Sequence, residues 1–219
     1  MHFTVQNLNN IKNQIKLKLN KINNDNSPKI IAVSKTFSLE KILPLIEYGH
    51  KDFGENKVQE SIDKWSEFKF KNTSIKLHLI GKLQSNKVKL AVKIFDYIHS
   101  VDSEKLAKKI AEEIEKQNKQ IKIFLQVNIG KEDQKSGVDI EKLDDLYDYC
   151  KVLNLNVVGL MCIPPLNENP KNFFLEMQNL KKKYNLNEIS MGMSSDYIEA
   201  VEYSATFLRI GSSIFGPRD

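Results

Sequence analysis

Eight short apolar runs, most of them rich in β-branched residues, alternate along this chain with segments of helical period. That alternation constrains the fold more than any other feature. The runs cover residues 30–35, 51–55, 76–81, 97–101, 121–129, 156–163, 188–193 and 206–211, and the fifth is the strongest. Strands separated by helices pair in parallel through right-handed crossovers. Two architectures satisfy the pattern, a closed (β/α)8 TIM barrel and a doubly wound open sheet. The open sheet usually keeps a glycine-rich turn after its first strand, where this chain has Ser34-Lys35-Thr36-Phe37. The barrel is favoured, although 219 residues is short of the ~250 typical of the class.

Ahead of the first run, Val5, Leu8, Ile11, Ile15, Leu19 and Ile22 recur at steps of three and four. They predict a helix over about 4–24 with one apolar stripe, closed by the turn cluster at 23–28. The reading is therefore a single domain over 1–219, with residues 1–26 as an extra N-terminal helix packed outside the barrel. Ser38 and Gly49 bracket a second helix, which Pro44 should kink or split. Asn169-Pro170 opens another, and Ser194-Ser195-Asp196 starts the helix that comes after the seventh strand.

Charge narrows the function classes. The chain carries 33 Lys and Arg against 28 Asp and Glu, a net charge of +5, with the two signs interspersed. No basic block and no aromatics on a basic stripe point to nucleic acid. Cys150 and Cys162 have no metal-ligand spacing with each other or with the four histidines, so no metal site is expected and both thiols read as free. The segment from Met1 has no signal-type apolar core, and no run is long enough to span a bilayer. A cytoplasmic protein without membrane contact is the expectation.

Lys35 stands apart from the lysines of the amphipathic helices. It ends the run Ile30-Ile31-Ala32-Val33-Ser34-Lys35, where an apolar strand gives way to a turn. Partial burial disfavours an ammonium, and an amine that is neutral part of the time can attack an aldehyde. A strand-end lysine reaching out to water is the competing reading. In a barrel the active site lies at the C-terminal strand ends. Those ends carry Lys35, Asn56, Gly81, Lys82, Ser100, Asn128 and Met161, then Met193-Ser194-Ser195, Arg209 and Gly211-Ser212-Ser213.

The last two loops have the makings of a phosphate site. Ser194 lies at an expected helix start, where free N–H groups favour an anion, although a plain N-cap explains it as well. Gly211 lets backbone approach closely, and Ser212 offers both an N–H and a hydroxyl. An amine, a phosphate cradle and the cation Arg209 on one rim match pyridoxal 5′-phosphate held as an aldimine on Lys35.

Several blocks are also familiar: Ala32-Val33-Ser34-Lys35-Thr36, Phe53-Gly54-Glu55-Asn56-Lys57-Val58-Gln59-Glu60, and His78-Leu79-Ile80-Gly81-Lys82-Leu83-Gln84-Ser85-Asn86-Lys87. With Lys135-Ser136-Gly137, Gly159-Leu160-Met161, Ser190-Met191-Gly192-Met193-Ser194 and the stretch from Arg209 to Gly216, they resemble the pyridoxal phosphate homeostasis protein family. The resemblance runs in order through nearly the whole chain. It implies a barrel similar to the N-terminal domain of alanine racemase, with Lys35 forming the aldimine and Ser194, Gly211 and Ser212 holding the phosphate. It also implies Arg209 facing the pyridine nitrogen and Asn56 lining the pocket. Lys82 and Ser212 stand where the family often has other residues, and serine keeps the hydroxyl.

The same resemblance implies little catalysis, and chemistry agrees. A cation beside the pyridine nitrogen disfavours its protonation and weakens the ring as an electron sink. The racemases that resemble this barrel draw a second acid/base from a C-terminal domain, whereas this chain ends at Asp219. The expectation is a monomeric cofactor carrier or regulator, with pyridoxal-phosphate-dependent apo-enzymes as its partners. The alternative is a small amino-acid racemase or decarboxylase. Outside the rim, His78, His99 and Cys162 read as core residues. Residues 130–137, with Lys131, Lys135 and Ser136, read as a rim loop that orders around ligand.

Overall fold

The computed structural model describes residues 1–132, 134 and 136–217. Eight parallel strands close into a barrel in strict sequence order: β1 Lys29–Val33, β2 Asp52–Glu55, β3 Lys76–Leu79, β4 Tyr97–Val101, β5 Lys122–Val127, β6 Val157–Cys162, β7 Glu188–Ser190 and β8 Phe207–Ile210. The last strand pairs with the first, Ile31 opposite Arg209, so the sheet has no free edge. Helices α2 Leu39–Glu47, α3 Val58–Lys71, α4 Val88–Ile94, α5 Glu104–Lys116, α6 Leu143–Val152, α7 Pro170–Lys183 and α8 Tyr197–Glu202 make the crossovers. The expected (β/α)8 barrel is the fold.

Strand alternation sorts the core into two layers. On β1, Ile30 and Ala32 pack beneath the helices, while Ile31 joins Tyr97, Phe124, Met161 and Phe207 inside the barrel. The outer layer is much the larger, and includes the fully buried Trp65, Phe53 and Phe174. Each such side chain contributes roughly 1.5–3 kcal/mol by leaving water.

Helix α1, Phe3–Lys21, buries Val5, Leu8, Ile11, Ile15 and Leu19, the expected stripe. It lies on the outside of the barrel. Its polar flank is tied to the last two helices of the chain: Asn7 donates to the carbonyl of Ile214 at 3.0 Å, Gln14 pairs with Tyr197, and Lys18 with Glu202.

Three local expectations are corrected. Pro44 does not split α2, because Ile42 and Leu45 are fully buried on the barrel and that packing outweighs one lost helical bond. The first strand stops at Val33, two residues short of Lys35, where the chain turns. Finally, no helix starts at Ser194. Helix α8 begins at Tyr197 with Asp196 as its N-cap residue, and Asp196 instead fastens the preceding turn by accepting from the Met193 N–H at 2.6 Å. A short helix that the periodicity does not reveal, α9 Ser212–Phe215, comes directly after β8.

Candidate cofactor site at the barrel mouth

Lys35 is placed by a buried carboxylate. Glu55, at the end of β2, is 1% exposed and its Oε1 accepts from Ser34 Oγ at 2.7 Å, Lys64 Nζ at 2.9 Å and Trp65 Nε1 at 2.9 Å. Lys64 also donates to the Ser34 carbonyl at 2.9 Å, and the Ser34 N–H donates to Gly54 O at 3.0 Å. Ser34 is thus held through backbone and side chain, and the residue after it has little freedom. Thr36 then takes a left-handed φ of +71°, turning the chain away and leaving Lys35 half-buried at the mouth. Phe37 stacks on Phe215 of α9 with ring centroids 4.8 Å apart, which ties the Lys35 turn to the loop after β8.

That loop is the second half of the site. The N–H groups of Gly211 and Ser213 both converge on Ser194 Oγ, at 3.3 and 3.4 Å. Ser194 reaches this position because Gly192 takes φ +86° just after β7. A Cβ there would lie 2.6 Å from the Ala200 Cβ, so only glycine permits the turn. The helix-start role expected for Ser194 is therefore replaced by a loop role, with the same two loops still brought together.

Arg209 enters from β8 and is 4% exposed. Its Nη1 donates to Ser190 Oγ at 2.8 Å and its Nη2 to the Cys162 carbonyl at 2.7 Å. Burial pulls the guanidinium below its ordinary value, with Cys162 and Asp196 opposing. Among the described residues no carboxylate lies within ion-pair distance of it. Burial pushes the Cys162 thiol up to about 12, which keeps it protonated and unreactive.

These groups share one cavity of about 340 Å³, lined by Lys35, Asn56, Ser194, Arg209, Gly211 and Ser212 among others. All six residues that the sequence singles out for cofactor binding meet there. A second hollow of about 310 Å³ shares the Asn56 wall and takes Gly81, Lys82 and Asn128. The loop at Gly81 presses so close that a Cβ would sit 2.3 Å from the Asn56 carbonyl oxygen. Ser100 and Met161, also expected at the rim, are buried and do not line the cavity. Lys135 and Asp219 lie outside the described residues. Larger hollows lie toward the opposite end, one of about 660 Å³ lined by α5 and the segments that lead into β5 and β6, whereas the C-terminal strand ends converge at the mouth.

What sequence reasoning missed is the support beneath the site: Glu55, Lys64, Gly192 and the Phe37–Phe215 stack. A carboxylate between Gly54 and Asn56 at a strand end was the one visible signal.

The donor set, an amine, a guanidinium, two hydroxyls and two loop N–H groups, fits a phosphorylated aldehyde on a heteroaromatic ring. Comparison with known proteins points the same way. The family model for the alanine racemase N-terminal domain matches residues 6–219. The pyridoxal phosphate homeostasis protein of Aquifex aeolicus is 39% identical over 204 residues, covering 89% of each chain. The structure of PipY from Synechococcus elongatus with pyridoxal phosphate bound superposes with a TM-score of 0.80 at 35% identity, covering 92% of this chain and 100% of that one. Alanine racemase of Clostridium difficile shares the fold alone, with a TM-score of 0.74 at 15% identity over 99% of this chain and 57% of its own. With a family match across nearly its whole length and relatives of this identity and coverage, the chain belongs to the pyridoxal phosphate homeostasis protein family, on the alanine racemase N-terminal domain fold.

Proposed function

We propose that this protein binds pyridoxal 5′-phosphate at the barrel mouth and serves cofactor homeostasis in the cytoplasm, holding the cofactor without efficient turnover. The observation that carries the reading is the convergence of Lys35, Arg209 and the Ser194–Gly211–Ser212 loops on one cavity. When bound, the cofactor would supply an aldehyde open to a lysine amine and a phosphate dianion that needs donors.

Lys35, whose backbone is fixed through Ser34 and the Glu55 carboxylate, would supply the amine for that aldehyde. The Gly211 and Ser213 N–H groups, now on Ser194 Oγ, would hold the phosphate together with the hydroxyls of Ser194 and Ser212. Arg209, held by Ser190 and Cys162, would stand beside the ring nitrogen, where a cation disfavours a proton. Asn56 closes the wall toward the second hollow.

Two considerations favour retention over turnover. An unprotonated ring is a weak electron sink. Among the described residues lining the cavity, the titratable side chains are Lys35 and Arg209, so one amine has to serve both faces in any racemisation. No helix among the described residues is long and apolar enough to cross a membrane. The reading extends to a single cofactor-binding unit over 1–219 that acts as a monomer and passes its cofactor to apo-enzymes.

Borohydride reduction of the cofactor-loaded protein followed by peptide mapping tests the site. The expected result is one pyridoxyl adduct on Lys35, absent from Lys35→Ala. An adduct elsewhere, or none, overturns the assignment. Amino-acid turnover faster than with free cofactor would favour the racemase or decarboxylase reading. Transfer to an apo-enzyme no faster than from free cofactor at equal concentration would remove the delivery role.

A further inference from the structure

Below the mouth, a line of polar side chains runs through the barrel interior. His78 Nε2 lies 3.0 Å from Asp52 Oδ1, and His78 Nδ1 lies 3.0 Å from His99 Nε2. The three groups come from β2, β3 and β4, and the two imidazole side chains are fully buried. Both rings are stacked, His78 on Tyr97 at 4.2 Å between centroids and His99 on Phe124 at 4.1 Å, with Phe207 set against both. Asp52 is the outer end of the line, its side chain 23% exposed at the floor of the barrel. At the inner end, His99 Nδ1 is buried and has no hydrogen-bond partner among the described residues.

The order of protons along this line is set by its ends. Burial works to raise the Asp52 carboxyl, but the hydrogen bond from His78, helped by the Lys29 cation, prevails and lowers it, so it is an acceptor only. His78 must then donate from Nε2. Burial lowers both imidazoles, His99 well below its ordinary range, with the neighbouring His78 and the Arg209 cation adding to the effect. A neutral His78 that donates from Nε2 accepts at Nδ1, so His99 donates from Nε2 and carries its lone pair on Nδ1. The other titratable groups near the line are Lys29 on β1, the neutral His50 before β2, Asp96 before β4 and Arg209 on β8. Arg209 lies two residues after Phe207 on β8, which places it on the same inner face, one step nearer the mouth.

We propose that Asp52, His78 and His99 are positioning residues for the mouth: they form a neutral, ordered imidazole pair that leaves a bare acceptor nitrogen inside the barrel, and the Asp52 charge at its far end bears on the buried guanidinium of Arg209. A carboxylate bonded to one imidazole polarises the next, so the acceptor strength at His99 Nδ1 reflects a charge two residues away. The array has no atom at the mouth. It acts through the electrostatic setting of Arg209, and this second step rests on the cofactor reading above.

Two measurements separate the array from that reading. Nitrogen-15 spectra of the imidazoles in the cofactor-free protein are expected to show His78 and His99 as neutral Nε2–H rings throughout pH 6–8. A ring that titrates in that window, or a proton on His99 Nδ1, overturns the array whatever the cofactor does. In the loaded protein, Asp52→Asn removes a negative charge and so disfavours a proton on the bound chromophore. Its apparent pKa in the absorbance profile is expected to fall by about half a unit, roughly a threefold loss of proton affinity. Tyr97→Phe alters the same floor without changing charge and is expected to leave the profile in place. Equal profiles for the two variants overturn the coupling to the mouth. Absence of a Lys35 adduct would overturn the cofactor reading and leave the spectra to decide the array.

Discussion

The two ends of the barrel are built from the same eight strands and solve opposite problems. At the mouth, donors are small and provisionally satisfied: two N–H groups share one serine oxygen, at 3.3 and 3.4 Å, and can leave it for an anion. At the floor, the polar donors are paired inside an aromatic stack and only the His99 Nδ1 lone pair is left over, with Asp52, His78 and His99 spaced at 3.0 Å and closed over by Tyr97, Phe124 and Phe207. The difference comes from how the chain closes each end. C-terminal strand ends run into turns that expose backbone donors, whereas the floor is closed by inward-facing side chains. Binding needs donors that can change partner; a packed interior needs donors that cannot.

Acid should break the floor first. His50 is lowered to about 4 by burial, and His78 and His99 are lowered for the same reason. Their folded pKa values lie below the unfolded value, so the unfolded chain binds more protons. Stability is therefore full above pH ~6.5 and is lost as pH falls through that value toward the folded pKa. For His50, whose folded value is about 4, the loss between pH 7.5 and 5.5 is about 1.4 kcal/mol, and His78 and His99 add to it in the same direction. Urea unfolding at pH 7.5 and 5.5 measures it, and equal stabilities would mean that the floor histidines are not buried as neutral rings.

Glu55→Ala attacks the support of the mouth. It strands Lys64, whose side chain is 14% exposed, and leaves the Trp65 and Ser34 donors without their acceptor. A loss of about 3 kcal/mol is expected, with slower borohydride trapping at Lys35. Unchanged trapping would show that Ser34 holds the turn without its carboxylate. Ser194→Ala is the mildest change, since its hydroxyl only gathers two N–H groups. Stability should drop by about 1 kcal/mol, and cofactor affinity by about tenfold if the same hydroxyl contacts phosphate. Unaltered affinity measured by absorbance titration would move the phosphate away from this loop.

Legibility in the sequence tracked the range of the interaction. The stripe Val5–Leu8–Ile11–Ile15–Leu19 and the strand runs report local period, and they survive folding nearly intact. Asn169-Pro170 is likewise a local signal, and Asn169 does cap α7 by accepting from the Lys171 N–H. The Ser194 loop misled because a serine before Ser195-Asp196 is also what a helix start looks like; Asp196 took the N-cap position and Ser194 was left for a neighbour 17 residues away. Pro44 misled for the converse reason, since a local penalty was overridden by the burial of Ile42 and Leu45.

The sequence by itself determined the alternation of strand and helix that favours the barrel, and it put Lys35, Asn56, Ser194, Arg209, Gly211 and Ser212 at one rim along with Ser100 and Met161, because period and strand-end position are properties of short segments; the family resemblance singled out the six. Tertiary structure alone decided how those six are held and what lies beneath them. Glu55 reaches Ser34 across 21 residues, Phe37 meets Phe215, and His78 finds Asp52 and His99 on flanking strands. A hydrogen bond or a ring stack has no period to announce it. It exists only once closure of the barrel has brought its two ends together.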